Sequence, residues 1–183
     1  MSNEKKIAGA KIAISGKSGC GNSTVSRLVA DTLGLRFINF TFRNLAQEKG
    51  LELKKVLELA SSDDSWDEEV DRRQTALARE DGGCVLGSRL AIWMLPEADL
   101  KVYLTASPEE RARRIHKREG GSLEKIAEFT AYRDNQDRER YLRIYNIDNF
   151  DYSIADIVIN TDDKNPERIT EIIIEELTKK LQA

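Results

Sequence analysis

The sequence predicts an α/β fold in which a five-stranded parallel sheet is flanked by helices. Three observations predict it. Short β-prone runs alternate with stretches of helical apolar spacing along the whole chain, and parallel neighbours need such crossover connections. The first run feeds a glycine-rich turn that opens a helix. The length, 183 residues with 40% apolar and 33% charged content, suits one compact unit with a solvated surface.

The first strand is Lys11-Ile12-Ala13-Ile14-Ser15, and Thr24 to Leu33 carries the helical spacing that follows its turn. Leu35 to Phe40 is the second strand. Helical patterns run from Phe42 to Lys49 and from Glu52 to Ala60, separated by Gly50, and again from Ser65 to Arg79. Gly82-Gly83 breaks that helix before the third strand, Cys84-Val85-Leu86, and Leu100 to Thr105 is the fourth. Ser107-Pro108-Glu109-Glu110 starts a helix, because Ser caps, Pro is tolerated in the first turn and acids favour the positive end. Gly120-Gly121 ends it. A charged helix from Ser122 to about Ile144, a fifth strand at Ile157 to Asn160 and a helix from Pro166 to Leu181 complete the chain.

No run of about eighteen apolar residues exists, and Met1 to Lys6 are polar with no apolar run behind them, so a cytoplasmic protein with no membrane partner is expected. Cys20 and Cys84 lack metal-ligand spacing, and the lone His116 gives them no partner, so both thiols are expected reduced. The net charge of −3 argues against nucleic acid, although arginines cluster between Arg111 and Arg143. A monomer is expected.

Gly16-Lys17-Ser18-Gly19-Cys20-Gly21-Asn22-Ser23 matches a phosphate-binding loop at every defined position but one, where Asn22 replaces lysine. The glycines still allow close backbone approach, and the following helix points its positive end at an anion. The segment Gly16 to Thr24 is therefore the candidate site for ATP phosphates, with Ser23 as a ligand for Mg2+. A loop lysine offsets charge that builds during phosphoryl transfer, whereas asparagine offers a neutral amide. Lys17, or arginines from elsewhere in the chain, are the candidates to supply that charge.

With the loop, Thr41-Phe42-Arg43, Asp71-Arg72-Arg73-Gln74, Ser88-Arg89-Leu90 and the run from Arg133 to Arg140 in this order, the chain resembles the archaeal-type cytidylate kinases almost end to end. Asp71 to Glu80, Ala98 to Ala106 and Tyr152 to Thr161 are similar to that family's framework. The resemblance implies a phosphate-loop nucleoside monophosphate kinase fold in one domain, residues 1–183, with a monophosphate-binding segment near 40–80 and a mobile lid near 110–140. It also implies transfer of a phosphoryl group from ATP, with Mg2+, to CMP or dCMP. The chain departs from the family at Asn22 and at Gly87-Ser88, where a Glu-Gly pair is expected before the arginine.

Two phosphorylated substrates crowd several negative charges together, so guanidinium groups must come from separate elements. The resemblance gives Arg43 the acceptor phosphate, and Arg89 follows the third strand at the carboxyl edge where ligands bind in open α/β sheets. Asp71 and Arg72 are candidates for base or ribose contacts. Asp67, one turn earlier, has the acceptor chemistry that separates cytosine from uracil, but its position alone does not choose it. Arg133, Asp137 and Arg140 fall on one helix face at i, i+4 and i+7, and the resemblance assigns this face to ribose and phosphate. Arg114 and Arg118, one turn apart beside the Gly120-Gly121 break, read as lid arginines that clamp phosphates. Trp66 and Trp93 read as packing residues.

The sequence thus points to a kinase making CDP or dCDP, with Arg114, Arg118, Arg133 and Lys17 as catalytic candidates. A kinase for another monophosphate or small metabolite, or a non-catalytic nucleotide-binding protein that lost turnover with its loop lysine, stands beside it.

Overall fold

The computed structural model describes residues 3–182. A short helix, α1 (Asn3–Ala8), precedes β1 (Lys11–Gly16), and the glycine-rich loop then leads into α2 (Asn22–Leu33). β2 (Arg36–Ile38) is followed by three helices, α3 (Phe42–Glu48), α4 (Leu53–Ala60) and α5 (Ser65–Arg79). β3 (Cys84–Gly87), the four-residue helix α6 (Ala91–Met94) and β4 (Leu100–Thr105) come next. α7 (Pro108–Glu119) and the long α8 (Leu123–Tyr145) then form a hairpin before β5 (Ile157–Asn160) and α9 (Pro166–Gln182).

All five strands are parallel, in the order β2-β3-β1-β4-β5. The central strands are buried on both faces, which explains why β1 and β4 read as nearly unbroken apolar runs. Their side chains alternate between two cores. Ile12, Ile14, Val102 and Leu104 face Val25 and Val29 of α2 and Ile169, Ile173 and Leu177 of α9. Ala13, Leu86 and Tyr103 face Ala91, Ile92 and Leu95 on the other side. Trp93 packs edge-on to Tyr103 there, with ring centroids 6.1 Å apart.

Three details differ from the sequence expectation. α1 and α6 were not anticipated; α6 is held by the buried Ser15 hydroxyl, which accepts from the Ile92 N–H at 3.1 Å. β2 spans three residues because it pairs only with β3, from Arg36 opposite Cys84 to Ile38 opposite Leu86. Asn39 and Phe40 therefore leave the sheet and turn into a cleft. The expected start of α7 does hold: the Ser107 hydroxyl accepts from the Glu110 N–H at 3.2 Å, with Pro108 in the first turn.

β3 lies on one side of β1 and β4 on the other, so the chain reverses direction across the sheet at β1. Such a switch point opens a crevice at the carboxyl ends of the strands. The α7–α8 hairpin is fixed above it by one buried pair, in which the Arg111 guanidinium donates twice to the Asp134 carboxylate at 2.7 and 2.9 Å. The Arg111 Nε also donates to the Ser18 carbonyl at 2.7 Å. Gly19 meets the same arginine so closely that a Cβ there would lie 2.9 Å from the Arg111 Cβ.

Breaking a buried pair from one side strands a charge and costs about 3–5 kcal/mol, whereas an apolar pair of similar volume is often neutral. Asp134→Ala is therefore expected to lower the unfolding free energy in urea by about 3 kcal/mol or more. The double variant Arg111→Met, Asp134→Leu should recover most of that loss.

Candidate active site

The crevice is a cleft of about 790 Å³ whose floor is the loop from Gly16 to Thr24. Gly19 and Gly21 adopt left-handed backbone, at φ 85° and 89°, which bends the loop back before α2. The loop carbonyls are held on its outer side. Ser18 O accepts from Arg111, Gly19 O from Arg114 at 3.3 Å, and Cys20 O from the Thr161 hydroxyl at 3.3 Å. α2 begins at Gly21 with no side-chain cap, so its first N–H groups are left for an anion. Cys20 and Cys84 are free and buried, and burial pushes both thiols above their ordinary value.

Asn22 does not occupy the place of a loop lysine. Its Nδ2 donates to the Ser88 carbonyl at 3.0 Å, and its Oδ1 accepts from the Ser26 hydroxyl at 2.9 Å. Gly87 fits under these two residues: a Cβ would lie 2.6 Å from the Ser26 Oγ and 3.3 Å from the Asn22 Oδ1. Asn22 and Gly87-Ser88, where the sequence reading expected other residues, thus lie against one another.

Of the expected catalytic residues, Lys17 lies on the cleft wall, but its ammonium sits 3.2 Å from the Phe150 ring centroid and 3.9 Å from Asp134. Burial lowers its pKa. It braces the loop against the region around α8. Arg114 engages all three guanidinium nitrogens, on Glu110, Gly19 O and Thr161, and so holds the loop from behind. Arg118 borders the cleft and pairs with its exposed neighbour Glu119.

Arg43, Arg89, Arg133 and Arg140 converge on the cleft from α3, the end of β3 and α8. Arg89 lies 3.2 Å from Asp137, and Arg140 donates to Asp137 at 2.8 Å and approaches Asp67 at 3.2 Å. Arg133 has no carboxylate within salt-bridge distance and no side-chain hydrogen bond among the described residues. The Arg89 cation, and then burial, hold its guanidinium below the usual pKa. Two guanidiniums forced together with too few carboxylates form a site that an anion would relieve.

Two expected contacts are not where the sequence reading put them. Arg72 points to the outer side of α5, where it pairs with Glu69 at 2.6 Å, because one residue beyond Asp71 on a helix turns about 100° away. Asp137 is 4% exposed and lies behind the cleft wall as counterion to Arg89 and Arg140, not in position for a ribose. Asp71 does line the cleft; its carboxylate accepts from the Tyr145 hydroxyl at 2.8 Å, and burial raises its pKa to about 6. Burial and the Asp71 carboxylate raise the Tyr145 phenol in turn.

Gln74, Asn39, Thr41 and Tyr141 also line the cleft and were not anticipated. Gln74 had a signal in the sequence, because the apolar stripe of α5 through Val70 and Ala78 carries polar residues at Asp67 and Gln74. Lys164, Pro166 and Ile169 line the same cleft. The Ser23 hydroxyl, which accepts from Asn39 Nδ2 at 3.2 Å, is a neutral oxygen donor. That donor set fits a magnesium ion that arrives on phosphate oxygens and keeps most of its waters.

A family model described as "Cytidylate kinase-like family" matches residues 11–163. The chain is 46% identical to "Cytidylate kinase 2" of Borreliella burgdorferi over 174 residues, 93% of this chain and 96% of that protein. It is 42% identical to "Cytidylate kinase" of Pyrococcus horikoshii over 164 residues, 88% of this chain and 85% of the other. Among solved structures, a shikimate kinase from Acinetobacter baumannii superposes with a TM-score of 0.66 at 15% identity, over 97% of this chain and 98% of the other. A gluconokinase from Sinorhizobium meliloti superposes at 0.54 and 18% identity, over 94% and 93%; these two likenesses concern the fold alone. From residue 11 to 163, the loop and the arginines around it are those of a chain that belongs to the cytidylate kinase-like family.

Proposed function

We propose that the protein transfers the γ-phosphoryl group of ATP to CMP or dCMP, releasing CDP or dCDP. The observation that carries this reading is Arg133, an exposed cation crowded by Arg89 with no paired carboxylate among the described residues, on the wall of the cleft whose floor is the phosphate loop. Two anions in one cleft account for such crowding better than a structural ion-pair network does.

The loop from Gly16 to Thr24 would hold the donor phosphates on backbone N–H groups and the end of α2. The donor base would lie along Lys164, Pro166 and Ile169, which line the cleft beside the phosphate loop. Ser23 would hold the magnesium ion that comes with ATP, which neutralises charge on the β- and γ-phosphates. Arg43, Arg89, Arg133 and Arg140 would orient the acceptor phosphate in line with the γ-phosphorus and balance charge as the phosphoryl group moves. The acceptor oxygen is already anionic, so no side chain need remove a proton. The segment from about 40 to 80 would cradle the monophosphate. The α7–α8 hairpin would close over it as a lid, its base fixed by Arg111 and Asp134 and its movement confined to the end beyond Gly120-Gly121.

ADP formation measured with CMP, dCMP, UMP, AMP and GMP, beside the Asn22→Lys variant, tests the assignment. Turnover of the native chain with CMP and dCMP well above the other three is expected. Turnover confined to Asn22→Lys would make the native protein a binding protein, and absence of acceptor-dependent turnover in both would end the kinase reading.

Arg133→Met should lower kcat/KM for the acceptor by about 100-fold, the scale of one lost transition-state donor. Its thermal stability should stay level or rise, because the repulsion with Arg89 goes with it. A loss of stability parallel to the loss of activity would make Arg133 structural.

Asp71 yields a pH prediction. Its carboxyl binds a proton more tightly folded, at about 6, than its ordinary 3.8. Stability from this group is therefore complete below pH 3.8 and is lost as pH rises through about 6. Asp71→Asn should melt above the native chain at pH 8, by about 1–3 kcal/mol in unfolding free energy, and the gain should vanish near pH 4. A gain independent of pH would show that the carboxyl is not titrating there.

A further inference from the structure

Asn22 stands where a phosphate loop carries a residue that serves the donor, yet its side chain is committed to the end of β3. Its backbone opens α2, so its N–H is among the first-turn groups left for an anion. Its Nδ2 reaches the Ser88 carbonyl at 3.0 Å, and its Oδ1 takes the Ser26 hydroxyl at 2.9 Å. A carbonyl can only accept, which fixes the amide nitrogen on Ser88 and leaves Oδ1 for the hydroxyl. Lysine, with donors alone, offers Ser26 no acceptor. Gly87 completes the arrangement, since a Cβ there would lie 2.6 Å from the Ser26 Oγ and 2.7 Å from its Cβ. Ser26 itself is fully buried, so no nucleotide touches it.

Ser88 is held at both its polar groups, because its N–H donates to the Ile14 carbonyl of β1 at 3.2 Å. The next residue, Arg89, leaves the sheet from this fixed point and lines the cleft, with its guanidinium 3.2 Å from Asp137. Beyond it, the Ile92 N–H is held by the Ser15 hydroxyl at 3.1 Å. Given the reading above that Arg89 helps to hold an acceptor phosphate, we propose that Asn22 is a positioning residue for the acceptor: its N–H faces the donor, while its side chain sets Arg89 through Ser88. The start of α2 and the end of β3 are then one piece, so the group that meets the donor phosphates and the group that meets the acceptor phosphate keep a constant separation. In-line transfer needs that constancy, because a misplacement of about 1 Å in a positioning group is enough to slow a reaction strongly. The kinetic signature is the inverse of a loop lysine's. Truncating Asn22 weakens the second substrate and spares ATP.

The experiment measures by calorimetry the Kd of a nucleoside monophosphate and of AMPPNP with Mg2+, beside the melting temperature. The proteins are the native chain, Asn22→Ala, Ser26→Ala, their double variant, and Arg89→Met with and without Asn22→Ala. The monophosphate is whichever of CMP, dCMP, UMP, AMP and GMP the native chain turns over best. Asn22→Ala should weaken it about tenfold, the scale of one lost hydrogen bond, and leave AMPPNP within about twofold. Ser26→Ala should weaken it in the same sense by about threefold, and should add nothing once Asn22 is alanine, since both changes break one chain of contacts. Asn22→Ala should likewise add nothing to Arg89→Met; if Arg89→Met does not fold, the Ser26 comparison decides. Weaker AMPPNP with the monophosphate unchanged would make Asn22 a ligand of the donor, and equal losses of both that track the melting temperature would make it structural; either result overturns the proposal. The expected pattern on a monophosphate other than CMP or dCMP would uphold the proposal and overturn the cytidylate assignment. No turnover with any monophosphate would overturn both.

Discussion

Most of this cleft depends on a single buried ion pair. Arg111 and Asp134 join α7 to α8 through two hydrogen bonds, and the same guanidinium reaches the Ser18 carbonyl. A bidentate pair is strongly directional as well as strong, so it sets the hairpin and the loop in one geometry. Lys17 extends the arrangement through Asp134 and Phe150, and Arg114 repeats it one turn on, through Gly19 and Thr161. These cations hold the carbonyls of Ser18 and Gly19, while the Cys20 N–H closes the loop on the Lys17 carbonyl at 3.1 Å.

The two departures from the family pattern are better understood together than singly. An asparagine at the lysine position could indicate a decayed loop. Instead, Asn22 ties the start of α2 to the end of β3 through Ser88, and Gly87 provides the space in which Asn22 and Ser26 sit. A longer side chain at position 87 would strike Ser26. Such mutual fit is what a maintained arrangement looks like, and it moves the question of charge from the loop to the arginines. Arg89 follows directly after Ser88, so the tie that uses the lysine position also steadies the strand end that delivers a cation.

Much of this was legible in the sequence where one physical rule acted alone. Periodicity placed all five strands, and a polar residue before Pro108 marked the start of α7. Gly-rich spacing found the whole loop, and the helical repeat put Arg133 and Arg140 on one face. What was not legible shares a cause, which is that side-chain direction depends on neighbours distant in sequence. Lys17 and Arg114 read as catalytic because they are cations beside a phosphate loop, and their contacts with Phe150, Asp134 and Thr161 come from far along the chain. Arg72 was a candidate beside Asp71 in the Asp-Arg-Arg-Gln phrase, but one step of helical rotation turns it to Glu69 on the outer side of α5. Gln74 stands in the same phrase, but only the packing of α5 shows that it is buried and lines the cleft.

The cleft is electrically divided. Arg43, Arg89, Arg133 and Arg140 supply an excess of positive charge, while Asp67, Asp71 and Gln74 on α5 bring mostly acceptors. A nucleotide is divided in the same sense, with anionic oxygens at one end and, in an aminopyrimidine, hydrogen-bond donors at the other. Reversing such a molecule would set phosphate against Asp67 and Asp71, and like charges in a half-buried site repel strongly. Arg140 stands at the boundary, paired with Asp137 on one side and near Asp67 on the other. Orientation is thus imposed before any base is identified.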